Sequence, residues 1–418
     1  ASSDVYLLKL DANGQRVWSR LIGGSGVDEG KAVVEMGNGD LVVAGFTNSG
    51  PFGGYDGLVV RTNATGEVIW ERTFGGEDWD MLHGLDRDHE DGIWVTGTTY
   101  SMGVGGDAWV LHLNAEGDVL MEDSYGSERE DIGASIKTTT DGGCVIAGSQ
   151  VSEDGDMDLL AIKLDGLGGE EWSYTFGGEE DDAARDIEVT VDGGYSAVGW
   201  TRSFNPVVEL YHVRLDALGE EVWYRNWGQV ADQEGYDHVQ LDNGDFASIG
   251  YVSQGGAGGK DMFLMKNGTD GGFILGQTQG GAEDEFGHAI VRAEGGYVIA
   301  GTTRSYGQGQ TDIMVIRTNE VGFTVSDQVI SEFDPVSVLE PSTSDVLIYP
   351  NPSKGGFRIK GTTSPAYWRL TDGLGRVVRS GVLTNENEEI GTGLAEGSYL
   401  LHCRAGNEDL HRVLVITR

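Results

Sequence analysis

Between residue 4 and residue 330 the chain is a succession of short apolar or alternating runs, each five to seven residues long, separated by glycine-rich turns. Runs of that length and pattern predict β-strands, and no stretch of useful length carries the 3.6-residue period of a helix. The runs return in register. An acidic residue opens one of them at Asp4, Asp56, Asp107, Asp158, Glu209, Asp261 and Asp312, in steps of 51 or 52 residues. A turn glycine follows at Gly14, Gly66, Gly117, Gly168, Gly219, Gly271 and Gly322. A second turn leads into another strand in GNGDLVVAG, EDGIWVTG, DGGCVIAG, DGGYSAVG, DNGDFASIG and EGGYVIAG. Each unit is therefore two hairpins. Four short strands in about 51 residues match one blade of a β-propeller.

The expected architecture is all-β: a propeller of four-stranded blades over residues 1–329, a linker at 330–345, and a small β-sandwich at 346–418. The first hairpin occurs seven times and the second six. Either six blades close with a spare N-terminal hairpin, or a seventh has lost its first hairpin upstream of Ala1. Seven is the preferred count, because every other first hairpin follows a second. A solenoid would also use such repeats, but radial closure removes exposed strand edges. Two recurring positions look structural. A large apolar residue (Trp18, Trp70, Met121, Trp172, Trp223, Leu275) is placed to fill the seam between blades. A basic residue (Lys9, Arg61, His112, Lys163, Arg214, Lys266, Arg317) is expected to pair with a repeated carboxylate.

Charge sharpens the picture. The formal net charge is −40, yet residues 346–418 hold nine Lys/Arg against seven Asp/Glu, so the excess lies in the repeats. Such a surface repels nucleic acid and anionic lipid and suits a soluble or extracellular protein. The two cysteines, Cys144 and Cys403, make no disulfide framework and are expected as small buried strand residues. No apolar run is long enough to span a membrane, and no signal peptide stands at Ala1.

The last segment follows another pattern. Tyr349-Pro350-Asn351-Pro352-Ser353-Lys354-Gly355-Gly356-Phe357, then LTDGLGRV with Asp372 and Gly375, then GLAEGSY with Gly397 and Tyr399, come in order before a basic terminal strand. These motifs resemble the type IX secretion system C-terminal sorting domain, type A. The repeats resemble the DGGYIVAG-type units found upstream of such domains. The resemblance implies export across the outer membrane of Bacteroidota-type bacteria. It implies an outer-membrane translocon, a shuttle and a sortase-like peptidase as partners. It also implies delivery to the cell surface or release outside.

Candidate chemistry is sparse. Asp28, Asp80, Asp131, Asp182, Gln233 and Glu285 recur after each Gly-Gly. They are read as capping groups in preference to a carboxylate ring for Ca²⁺ or a basic partner. Asp154, Asp156 and Asp158 have the alternation of a calcium loop but lack its glycine; Ca²⁺ is the one cofactor considered, and none is required. His83 and His288 share a repeat position with Lys31, Ala134, Arg185 and Tyr236, and are read as rim histidines on blades that do not adjoin. Trp79, Trp109, Trp200 and Trp227 fall outside the repeated slot and are the candidates for contact with a glycan or protein ligand. No HExxH, GxSxG, Walker or zinc spacing is present. The expected function is a non-enzymatic surface or extracellular propeller for binding, adhesion or structural assembly, including assembly as a homo-oligomer or filament. The alternative is a secreted polysaccharide-degrading hydrolase or lyase, with Asp86 or Asp237 among its acids.

Overall fold

The computed structural model describes residues 3–330 apart from 229, 257 and 307–310, and farther on the strands between residues 347 and 416 together with Leu394. The chain divides into two compact units, Ala1–Pro335 and Val336–Arg418. The division falls within the expected linker, 330–345; Ile330 ends the strand Thr324–Ile330, and residues 331–345 lie outside the described ones.

The described residues of the first unit form six four-stranded antiparallel sheets and no helix. In each sheet the strands pair in chain order. The innermost strands are Asp28–Glu35, Asp80–Arg87, Asp131–Thr138, Asp182–Val189, Gln233–Gln240 and Glu285–Ala293. This is a six-bladed propeller with four strands per blade. Of the seven blades preferred from sequence, six are complete among the described residues. Ahead of the first blade stands a two-stranded sheet, Val5–Leu10 paired with Arg16–Ile22, in the repeat phase of a third and fourth strand. Val5, Leu7 and Ile22 pack on Val43, Leu58 and Val60 of the first blade.

Local chemistry explains the strands' ends. The repeated turn glycines adopt φ between 75° (Gly14) and 87° (Gly168), a region costly for any residue with a Cβ. At Asp165 the carboxylate accepts the amides of Leu167 and Gly169, each at 2.8 Å, closing the turn.

The repeated tryptophans do fill the seams. Trp70 donates its indole N–H to the carbonyl of Ala115 (3.1 Å), in a turn of the next blade. Trp223 does the same to Thr269 (3.0 Å). A Cβ on Gly117 would sit 3.1 Å from the Trp70 ring, so that turn glycine also makes room for the indole. The repeated base pairs with an acid of the adjoining turn: Arg61 with Asp40 (2.9 Å), His112 with Asp88 (2.8 Å) and Lys163 with Asp141 (2.8 Å). The apolar cores are shared between neighbours. Val145, Leu159 and Ala161 of one blade meet Ile187, Ala197 and Val213 of the next. Cys144 is free and buried.

In the second unit, Leu347–Tyr349 pairs with Arg358–Lys360, and four strands from Ala366 to Ile416 form one antiparallel sheet. Trp368, Leu370, Tyr399 and Leu401 are buried. Of the sorting-motif residues, Tyr349, Gly397 and Tyr399 lie in strands. Pro350, Asn351, Pro352, Gly355, Phe357, Asp372 and Gly375 lie outside the described residues.

Candidate functional site

Every innermost strand carries a β-bulge at the same repeat position. In the first blade Gly30 pairs with Gly45 and Ala32 with Ala44, so Lys31 has no partner. The equivalent unpaired residues are His83, Ala134, Arg185, Tyr236 and His288. An extra residue kinks the strand and re-aims its side chain. The second strand permits this with glycine. A Cβ on Gly45 would collide with the carbonyl oxygen of Glu29, and one on Gly148 with that of Ile132. The glycine closing each VVAG- or VIAG-type run is thus the condition for the bulge opposite it.

All six bulge residues line one central cavity of about 400 Å³, together with Val5, Tyr6 and Leu7 of the N-terminal sheet. The sequence reading had separated His83 and His288 because their blades do not adjoin. The channel brings both to the same space. Around it, Arg185 lies over the ring of Tyr236 at 5.9 Å, and Tyr236 stands 5.3 Å from His288. Arg185 is held by Glu234 (2.8 Å) and Lys31 by Glu29 (2.6 Å). Burial, with the charges of Lys31 and Arg185, lowers the His83 pKa to about 4. Burial and Lys31 lower that of His288 as well. Both imidazoles are therefore neutral near pH 7, able to donate and accept.

Deeper in the wall is a buried polar chain that sequence spacing did not suggest. His238 Nδ1 lies 2.7 Å from Asp186, its Nε2 lies 2.9 Å from Ser196 Oγ, and Ser196 Oγ is 2.6 Å from His212 Nε2. The connectivity is that of a hydrolase triad. Ser196 and His238 are both 0 % exposed, however, so no substrate reaches the hydroxyl. Beside it sit two acids of opposite character. Burial raises the Asp186 carboxyl, but the hydrogen bond and charge of His238 outweigh this and hold it well below the usual range. Burial and the charge of Asp186 push Asp237 well above it. Asp237 also accepts the amide of Ile290 at 2.7 Å.

The sequence candidates are dispersed. Trp79 is 56 % exposed and packs edge-on against Tyr55. Trp109 is fully buried, donating to Glu122 at 3.2 Å, and offers no face to a ligand. Trp200 lies under the guanidinium of Arg202 at 5.2 Å. Trp227 lies near His212, half-buried. They form no common platform. Nor do Asp154, Asp156 and Asp158 converge as a calcium loop: among the described residues no group of three His, Cys, Asp or Glu side chains is arranged to hold a metal. Asp156 is instead engaged by the hydroxyl of Ser152, and Asp158 lies in the strand Met157–Leu164, opposite Gln150. The acids after each Gly-Gly cap their own loops. Asp80, for one, accepts the amide of Gly76 (2.7 Å) and the hydroxyls of Thr99 (2.5 Å) and Ser101 (2.7 Å).

Residues 347–417 match the family described as the secretion system C-terminal sorting domain. No curated protein matches the sequence. Among solved structures, the chain is similar to PorZ of Porphyromonas gingivalis, described as an essential surface component of the type-IX secretion system. Identity is 12 % and TM-score 0.38, over 96 % of this chain and 62 % of that one, so this chain spans less than two thirds of PorZ. It is also similar to the Pan2 WD40 domain of Neurospora crassa (10 %, TM-score 0.48, 77 % and 86 % of the two chains). A third is a thermostable family-43 glycoside hydrolase (11 %, TM-score 0.36, 60 % and 93 %). None is close enough to lend its chemistry. Among the described residues no helix is long and apolar enough to cross a membrane. What the chain carries is a β-propeller followed by a type IX secretion C-terminal sorting domain, which directs it to the cell surface or the extracellular space.

Proposed function

We propose that this is an exported binding module whose ligand enters the central channel and is held by the ring of bulge residues. One observation carries the reading: six recurrent bulges present side chains of five different kinds, all on one cavity. In a protein of net charge −40, that cavity is lined by Lys31, Lys137 and Arg185. An anionic ligand of small cross-section, such as the acidic end of a glycan, suits it. Arg185 and Lys31 would engage its carboxylates, with Tyr236 and the neutral histidines alongside. The translocon, shuttle and sortase are the partners expected during export, and the two C-terminal sheets are read as the halves of a small sandwich. The two-stranded N-terminal sheet is read as the outer half of a seventh blade.

A polysaccharide-cleaving enzyme is disfavoured by the one acid pair at the cavity. Asp186 is committed to His238 at 2.7 Å and Asp237 accepts the amide of Ile290 at 2.7 Å, so neither is free to act as the acid or nucleophile that glycoside cleavage needs. Calorimetric titration with acidic and neutral oligosaccharides tests the proposal. Arg185→Ala is expected to weaken binding of an acidic ligand roughly 10-fold or more, as loss of a charge-assisted hydrogen bond does, while Trp79→Ala leaves it unchanged. Equal affinity for neutral sugars, or an Arg185→Ala variant that binds normally, overturns it. Turnover of any glycan revives the enzyme.

A further inference from the structure

The acids that cap the innermost strands have buried partners. The amide of Glu285 bonds the carbonyl of Lys260 at 2.6 Å, and this places Asp261, at the start of the preceding blade's third strand, beside the Glu285 carboxylate. Glu285 is satisfied: it accepts the amide of Gly281 (2.5 Å) and the hydroxyl of Thr303 (2.7 Å). Asp261 is 0 % exposed, and neither of its oxygens has a hydrogen-bond partner. Both carboxylates converge on one backbone position. A Cβ on Gly280 would collide with Asp261 Oδ1 and lie 2.7 Å from Glu285 Oε2.

The arrangement recurs. The amide of Asp80 bonds the carbonyl of Tyr55 at 2.7 Å. Asp56 beside it is 1 % exposed, and neither of its oxygens meets the geometry of a hydrogen bond. A Cβ on Gly177 would collide with both Asp158 and Asp182. In the seam that departs from the pattern, an amide replaces one acid: Gln233 faces Glu209, and Asn226 donates to Glu209 at 2.5 Å.

We propose that the seams with two acids each bind a divalent cation of the Ca²⁺ class, between the third-strand acid of one blade and the first-strand acid of the next. Two carboxylates withdrawn from water repel each other and demand a positive charge between them. Unpartnered carboxylate oxygens are the ligands such a hard cation prefers, at about 2.3–2.6 Å, with backbone carbonyls and water completing six to eight positions. The competing occupant is a proton. Burial and the neighbouring acids Asp156 and Asp182 push Asp158 up to about 6, so below that pH an empty Asp158–Asp182 pair would hold one.

The full chain, stripped with a chelator, is melted at pH 8 with and without CaCl₂, and retained metal is measured by elemental analysis after dialysis. The proposal expects a Tm higher by roughly 5 °C or more with Ca²⁺ and several ions per chain. Asp261→Asn and Asp56→Asn should each lose about one ion, while Glu209→Gln, in the seam lacking the pair, leaves the count unchanged. The wild-type count stands even if a variant fails to fold. No retained metal and no Tm shift overturn the proposal. A Tm that falls as pH rises through about 6, whatever the Ca²⁺, assigns the pairs to shared protons.

Discussion

Gly148 ends the run Cys-Val-Ile-Ala-Gly and faces the backbone of Gly133, with the carbonyl of Ile132 where its Cβ would stand. Gly148→Ala must therefore flatten the bulge or push the strands apart. We expect a loss of roughly 3 kcal/mol, read from the urea midpoint, and a smaller one, from positive-φ strain alone, for an alanine at Gly155, whose Cβ would meet nothing within 4 Å. Gly155 has φ +97°, so strain alone is controlled by that second variant. His83 makes a different prediction. Folded, it takes up a proton only near pH 4, whereas unfolded it does so near 6.5. Acidification through that window charges the unfolded chain first, so stability present at pH 7 is lost as the pH falls from about 6.5 to 4. Melting curves across that range should show a smaller decline for His83→Gln than for the wild type.

At the scale of the element, a blade does two separate tasks. Its outer hairpin binds neighbours, through the indole over the next turn and through Arg61, whose guanidinium donates to the carbonyl of Ala115 at 2.8 Å. Its inner hairpin supplies the bulge. The N-terminal sheet has only the outer half, and among the described residues the strand Val5–Leu10 is paired along one edge alone, by Arg16–Ile22. Open strand edges recruit other strands. For residues 1–418 on their own, analytical ultracentrifugation is expected to show concentration-dependent self-association, abolished by a proline at Leu7. A monomer at all concentrations would remove the assembly reading.

At the scale of the whole molecule, the repeat told most of the architecture before any coordinates. The 51-residue period, the turn glycines, the seam tryptophans and the tail motifs were legible because each follows from local chemistry repeated in register. The blade count was not legible, since copy number alone does not distinguish a spare hairpin from half of a seventh blade. The site was half legible. His83, Lys31, Arg185, Tyr236 and His288 were seen to share a position, but closure of the ring is what makes that position a place. The Asp186–His238–Ser196 chain was not legible, because it joins strands of two blades through residues 42 and 52 apart.

The bulge residue stands outside the strand ladder. Because it pairs with nothing, exchanging it disturbs no backbone hydrogen bond, and the glycine that makes room for it is elsewhere in the unit. Specificity and foldability are in that sense inherited separately. Six interchangeable side chains could be varied one at a time across relatives, or in the laboratory, giving a family of sockets with different contents on one unaltered frame.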